Sequence, residues 1–239
     1  MTTARDIRID FMFDTICPWC YIGKRRLDIA LSRRPHLQVK VGWWPYLLNR
    51  DMPVEGMGRD AYLERKFGGM ERARRVHASI ARAGDQEGVN LRFDTITTTP
   101  NTVNAHRLIL AAEEFGLGNT VVESLFRAYF SEARDTGRLG VLREIGLDAG
   151  LPTSRLETVF DSQAEVGGGA VRDFDARAHM MRVEGVPTFF VGGRHLIFGA
   201  QEPEVLVRLL DLAHAEGDIA EMELIRRAAP WDLGSHVSG

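Results

Sequence analysis

The sequence is poor in cysteine: 239 residues contain only two. A secreted scaffold held by disulfides spreads its cysteines so that they close long loops, whereas Cys17 and Cys20 enclose only Pro18 and Trp19. Such a pair braces almost nothing, and its chemical readings are a redox dithiol or half of a metal site. A zinc cage needs four ligands. No cysteine is left to complete one, and the seven histidines include no His-x(3–5)-His pair. No resident metal or cofactor is therefore expected.

Other absences narrow the classes further. No run approaches the ~18 apolar residues that span a bilayer, so no membrane segment is expected. Met1 to Asp6 lead straight into an alternating segment without the apolar stretch and cleavage site of a signal peptide, so a cytoplasmic protein is expected. The net charge of -3 gives no basic stripe for nucleic acid. Gly167-Gly168-Gly169 is not a phosphate loop, because the third glycine of G-x-G-x-x-G would fall at Arg172 and no Lys-Ser/Thr follows. Hydrophobic residues at 44% and charged residues at 26% are those of an ordinary globular chain.

What is present has a clear order. Ile7, Ile9, Phe11 and Phe13 alternate with Arg8, Asp10 and Met12, the period of a strand. Tyr21 to Leu31 reads as an amphipathic helix, and Leu37, Val39, Val41 and Trp43 alternate again, giving a second strand parallel to the first. Tyr62–Ala83, Thr102–Phe115, Thr120–Ala133, Val141–Ala149 and Val171–Val183 favour helix, with Thr95–Pro100 as a connection and Asn101 or Thr102 as an N-cap. Thr188–Val191, the turn dipeptide Gly192-Gly193 and Leu196–Phe198 predict a hairpin, followed by a helix opening at Glu202-Pro203. The expected fold is α/β, with a sheet-forming domain in two halves, 1–55 and 165–220, a helical insertion over 56–164, and a C-terminal helix and tail over 221–239. Loop-closure entropy rises only logarithmically with length, so a long insertion is tolerated.

The dithiol spacing carries chemistry. Proline is favoured at the first helical position, which puts Cys17 at the N-cap. There its sulfur can meet the N–H groups of Trp19 and Cys20. The helix dipole supplies up to ~2 kcal/mol for an anion, and each charge-assisted hydrogen bond ~1.5–3 kcal/mol, so the thiolate form of Cys17 is favoured. Cys20 lies one turn on, on the same face, at a spacing a disulfide can bridge. Lys24, one turn past Cys20, is expected in solvent. Trp43 and Trp44 send at least one ring to the core. His106, with Val103 and Leu110 on one face, reads as a core or interface histidine.

From Cys17-Pro18-Trp19-Cys20-Tyr21-Ile22-Gly23 onward the chain resembles the thioredoxin superfamily, specifically the FrnE-like branch of the DsbA family. The resemblance continues in Asn101-Thr102-Val103-Asn104-Ala105-His106-Arg107-Leu108, in Leu125 to Phe130, in Gly185-Val186-Pro187-Thr188-Phe189-Phe190 and in Phe198-Gly199-Ala200-Gln201. It implies a thioredoxin fold with a helical insertion and a thiol-disulfide oxidoreductase acting on protein or small thiols and disulfides, as monomer or homodimer. Cys17 and Cys20 would be catalytic. A cis Val186–Pro187 bond would lie beside them, and Pro18, Trp19, Val186, Pro187, Asn101, His106, Gly199 and Gln201 would contact substrate. Related 2-hydroxychromene-2-carboxylate isomerases and kappa-class glutathione transferases share the layout but carry serine at the Cys17 position. A glutathione-dependent isomerase or transferase is thus the alternative, with glutathione as co-substrate and the turn Gly199-Ala200-Gln201 leading to a helix N-terminus suited to its carboxylate.

Overall fold

The computed structural model describes residues 6–160 and 166–216. The expected segment 221–239 lies outside them. Strand β1 (Ile7–Phe13), helix α1 (Pro18–Ser32) and strand β2 (Val39–Pro45) form a βαβ unit, with β1 and β2 parallel and Phe11 opposite Trp43. The polypeptide returns to the sheet at β5 (Thr188–Val191) and β6 (His195–Phe198). The sheet order is β2-β1-β5-β6, and β5 runs antiparallel to β1 with Phe11 opposite Phe189. The β5–β6 hairpin turns through Gly192 and Gly193, at φ +61 and +72, backbone that glycine adopts without steric cost.

Alternation along β1 decides what each face buries. Phe11 and Phe13 stack at 5.4 Å, Phe11 stacks on Phe189 at 4.6 Å, and Trp43 meets Phe13 edge-on at 5.6 Å. This face packs under α1 and the inserted helices. Met12 and Trp44 face the other way, beneath α8 (Val166–Met180). Trp44 also donates its indole N–H to the Phe174 carbonyl at 2.9 Å. Both tryptophans are thus core residues, on opposite sides of one sheet. The last described helix, α9 (Pro203–Glu216), packs against α1.

Between β2 and α8 stand α2 (Arg59–Phe67), α3 (Met70–Gln86), α4 (Val103–Glu113), α5 (Gly118–Phe126), α6 (Leu139–Ala149) and α7 (Thr153–Phe160), with α5 running on into one π-helical turn, Arg127–Ser131. The fold is α/β with a helical insertion, as expected, and three local readings change. The helix expected over Tyr62–Ala83 is two helices, broken where Gly68 and Gly69 take φ +68 and +145. The Thr-rich connection contributes a strand, β4 (Thr98–Thr99), paired with β3 (Met57–Gly58). Helix α7 is additional, and its Leu156, Val159 and Phe160 are buried.

Candidate active site

At the C-terminal end of β1 the chain turns through Asp14, Thr15 and Ile16 into α1. Cys17 is the N-cap, at φ -90 and ψ 112, with Pro18 opening the helix. Its amide donates to the Asp14 carbonyl at 3.0 Å, and its own carbonyl accepts from Cys20 at 3.0 Å and Tyr21 at 3.3 Å. Both cysteines are free thiols. Cys17 is 5% exposed and Cys20 wholly buried, while Trp19 between them stands out at 39%.

The expected cap bonds to the Cys17 sulfur are not formed. Cys17 Sγ instead points 3.7 Å to the Val186 carbonyl. A protonated thiol is a donor and only a weak acceptor, so the free dithiol turns to a carbonyl. Burial pushes the Cys20 thiol well above its ordinary range, and the hydrogen bond and charge interaction with Cys17 raise it further. One sulfur thus lies at the rim and the other is stored, protonated, beneath it.

The Val186–Pro187 peptide is cis. Pro187 packs on α1 at Gly23, where a Cβ would lie 3.1 Å from Pro187 Cγ and 3.4 Å from Phe189 Cζ. The Pro187 carbonyl accepts from Gly199 at 2.8 Å, with Gly199 in the left-handed region at φ +80. An open groove of about 420 Å³ runs along this loop, lined by Arg182, Glu184, Gly185, Val186, Pro187, Phe198 and Gly199. The structure therefore brings together Cys17, Cys20, Pro18, Trp19, Val186, Pro187 and Gly199.

Two residues expected at the substrate surface, Asn101 and His106, stand elsewhere, and a third, Gln201, is beside the groove with its amide spent on a turn. Asn101 spends both ends of its amide on the fold, donating to the Met52 carbonyl at 2.8 Å and accepting from Val103 N–H at 3.0 Å. It forms an Asx turn just ahead of α4, whose N-cap is Thr102. His106 is 0% exposed, out of reach of a docked substrate. Gln201 donates its side-chain amide to the Phe198 carbonyl at 2.6 Å, closing the turn after β6. The helix N-terminus proposed for a glutathione carboxylate already carries Glu202, paired with Arg26 at 2.8 Å. Lys24 is not solvated. It is 3% exposed and pairs with Asp28 at 2.8 Å and Glu123 at 2.7 Å, because α5 covers this face of α1.

Sequence reasoning missed Asp14. Its carboxylate is 0% exposed and accepts from Leu48 N–H at 2.8 Å and Ile16 N–H at 3.5 Å. The available signal was an acid in the short connection just before Cys17. Arg182 and Glu184 carry no local signal, since only tertiary folding brings them to the groove. Among the described residues, no cluster of three His, Cys, Asp or Glu could hold a metal ion, and no helix is long and apolar enough to cross a membrane.

Comparison with known proteins agrees with this geometry. The chain is 26% identical over 192 residues to the Bacillus subtilis protein YwbO, covering 78% of this chain and 87% of that one. It is similar to the crystal structure of a probable DsbA oxidoreductase from Streptomyces coelicolor, with a TM-score of 0.80 and 26% identity over 90% of this chain and 93% of that one. It shares its fold with the cytosolic disulfide reductase DsbM of Pseudomonas aeruginosa, solved with GSH, at a TM-score of 0.58 and 22% identity over 92% of this chain and 99% of that one. Residues 8–211 match the DSBA-like thioredoxin domain, and with that match, the two adjacent thiols and the sheet that carries them, the chain belongs to the DsbA-like family of thioredoxin-fold proteins.

Proposed function

We propose that the protein is a thiol-disulfide oxidoreductase of the FrnE-like DsbA type, working in the cytoplasm through Cys17-Pro18-Trp19-Cys20. The observation that carries this reading is the asymmetry of the two sulfurs: one at the rim against the Val186 carbonyl, the other wholly buried one turn below.

Cys17, as thiolate, attacks one sulfur of a substrate disulfide. The new bond is Cys17 Sγ to that sulfur, and the other substrate sulfur leaves as a thiolate and takes up a proton. Cys20 then loses its proton and attacks Cys17 Sγ, releasing the second substrate sulfur. The substrate gains two electrons and the dithiol becomes a disulfide. The reverse sequence oxidises a substrate dithiol. No resident cofactor is needed, because the sulfurs carry both electrons. With no third cysteine in the chain, an outside thiol or disulfide resets the pair, and glutathione is a suitable co-substrate. Val186 and Pro187 present an edge to an extended substrate, as strand addition does, with Trp19 and Phe198 as apolar flanks.

Insulin reduction and refolding of a reduced, unfolded disulfide protein test the reading. Cys17→Ser is expected to abolish both. Cys20→Ser is expected to accumulate a mixed disulfide at Cys17, visible by mass. Unchanged activity in both variants ends the reading. Turnover of an aromatic glutathione adduct that survives Cys20→Ser would instead support the isomerase or transferase alternative, which needs only one sulfur.

A further inference from the structure

The groove beside the dithiol carries two charges that the fold leaves unused. Arg182 and Glu184 line it and are both exposed. Neither side chain has a hydrogen bond or an ion pair among the described residues. Just beyond the other end of the groove the charges are spent, Glu202 on Arg26 at 2.8 Å and Glu204 on Arg33 at 2.7 Å.

Arg182 stands where glycine would fit more easily. Helix α8 ends at Met180, and the chain leaves it through hydrogen bonds from Arg182 N–H to the His179 carbonyl at 2.9 Å and from Val183 N–H to the Ala178 carbonyl at 3.0 Å. Arg182 takes the left-handed backbone, at φ +58. This is the helix-ending position that glycine commonly fills, because without a Cβ it meets no steric conflict there. Here it holds an arginine whose guanidinium stands unpaired at the groove, and residues kept in such backbone cluster at ligand-contacting surfaces. Val183 is wholly buried, packed with Trp44 and Phe174. Arg182 and Glu184, on either side of it, therefore both stand outward.

We propose that Arg182 and Glu184 select protein substrates by charge: an extended segment with a basic side chain near the reactive cysteine, facing Glu184, and an acidic one farther along, facing Arg182. This rests on the redox reading of the dithiol and names the chains it serves. The order follows from the backbone. Val186 lies against Cys17 Sγ, with Glu184 two residues before it and Arg182 four, so at ~3.3–3.6 Å per residue they stand within ~7 and ~14 Å of it. A guanidinium takes a carboxylate in a two-pronged hydrogen bond, which fixes orientation as well as charge. Phe198, half exposed on β6, lines the same groove, and an apolar wall strengthens charge pairs relative to open water. The two charges act on docking of the chain, before Cys17 attacks.

Short peptides with one cysteine, joined by a disulfide to thionitrobenzoate, test this in a Cys20→Ser background. Cys17 Sγ bonds to the peptide sulfur, the peptide–thionitrobenzoate bond breaks, and the coloured thionitrobenzoate anion leaves. Its absorbance gives the second-order rate. Two peptides differ only in order, with the basic residue nearer the cysteine and the acidic one beyond, or the reverse. Each is made with the charges before and after the cysteine. The matched order is expected to react about tenfold faster, the swing when two solvent-edge ion pairs turn from attraction to repulsion. Added salt is expected to shrink the difference. The preference is expected on one side of the cysteine only, since the groove leaves Val186 in one direction. Equal rates for both orders, or an equal preference on both sides, overturns the proposal. No release of thionitrobenzoate from any peptide overturns the redox reading itself.

Arg182→Gly removes the guanidinium and suits the left-handed backbone, so it is expected to melt no lower than the wild type. It is expected to cut the preference to about threefold, the share of one pair. Arg182→Glu combined with Glu184→Arg is expected to reverse the preferred order. A merely structural role would slow both peptides alike and leave their ratio in place. A ratio unchanged in Arg182→Gly overturns the proposal, whether or not the charge exchange folds.

Discussion

At the scale of single residues, burial divides two chemically identical side chains. Cys17 retains a sliver of exposure and Cys20 none, so an alkylating reagent at pH 8 is expected to modify Cys17 alone in the folded protein, and both cysteines in denaturant. Mass analysis of the labelled peptide checks this. The raised Cys20 thiol also has a sign. Its proton is bound more tightly folded than unfolded, so its contribution to stability is complete below the ordinary cysteine range and is lost as pH rises through and above it, at ~1.4 kcal/mol per pH unit. Urea midpoints of the reduced protein between pH 7 and 10 are expected to fall more steeply for the wild type than for Cys20→Ser. The cysteines were legible because their spacing is local. Lys24 was not, since it ends under α5 through contacts of high sequence separation, whereas His106 read as a core histidine from its helix face and is wholly buried.

Elements carry constraints that no single residue shows. Helix α1 can lie on the Pro187 loop only because position 23 is glycine, and a pyrrolidine ring cannot move aside as a flexible chain end would. Gly23→Ala therefore sets a gain of ~0.5–1 kcal/mol in helix propensity against displacement of Pro187 by a few tenths of an ångström. Near-unchanged melting with slower disulfide exchange is expected, and exchange rates beside the melting temperature test it. A second element-scale constraint lies where α4 ends against edge strand β2. Glu113 accepts from Trp43 N–H, and burial pushes its carboxyl up to about 7. The folded state therefore holds this proton more tightly, and the stability it confers is full below the usual carboxylate range and lost as pH rises towards 7. Glu113→Gln keeps an acceptor for Trp43 without the charge. It is expected to be more stable than wild type at pH 8, by on the order of 1–3 kcal/mol, and to lose that advantage at pH 4. Strands and most helices were legible from their periods, 2 and 3.6. The Gly68-Gly69 break was missed because helical patterning resumes on both sides of it, and β3 and β4 because each is two residues long and exists only through the other.

At the scale of the whole molecule, the inserted helices hold the active-site helix from behind. Glu123 on α5 reaches across to α1, where it accepts from Lys24 and Arg25 at 2.7 Å each and from the Tyr21 hydroxyl at 3.1 Å. The Tyr21 ring stacks on Phe126 at 5.0 Å, so polar and apolar contacts join the same two helices. Arg26 does likewise for the opposite flank, pairing with Glu87 beyond the end of α3 and donating to the Ala200 carbonyl, both at 2.7 Å. The long insertion is thus tied to α1 by side chains that the sequence places in an unremarkable basic run.

Lys24 makes that tie directional. A lysine 3% exposed tolerates its charge only while paired, and removing one partner of a buried pair costs more than the pair contributes net. Asp28 remains after Glu123→Gln, which limits the expected loss to ~1–3 kcal/mol. Glu123→Gln combined with Lys24→Met is expected to recover part of that loss, and a double-mutant cycle by urea unfolding measures it. Acid sensitivity should follow the same side chain. Burial pushes the Glu123 carboxyl up, but Lys24 and Arg25 outweigh it and leave it below its usual range. Its stabilising contribution is therefore present above the ordinary carboxylate range and lost as pH falls through the depressed value. Glu123→Gln should flatten that acid limb while also slowing disulfide exchange, because α1 and its two sulfurs keep their place only as long as α5 holds them. An acid limb and an exchange rate both unchanged in Glu123→Gln would show that the sheet alone positions the dithiol.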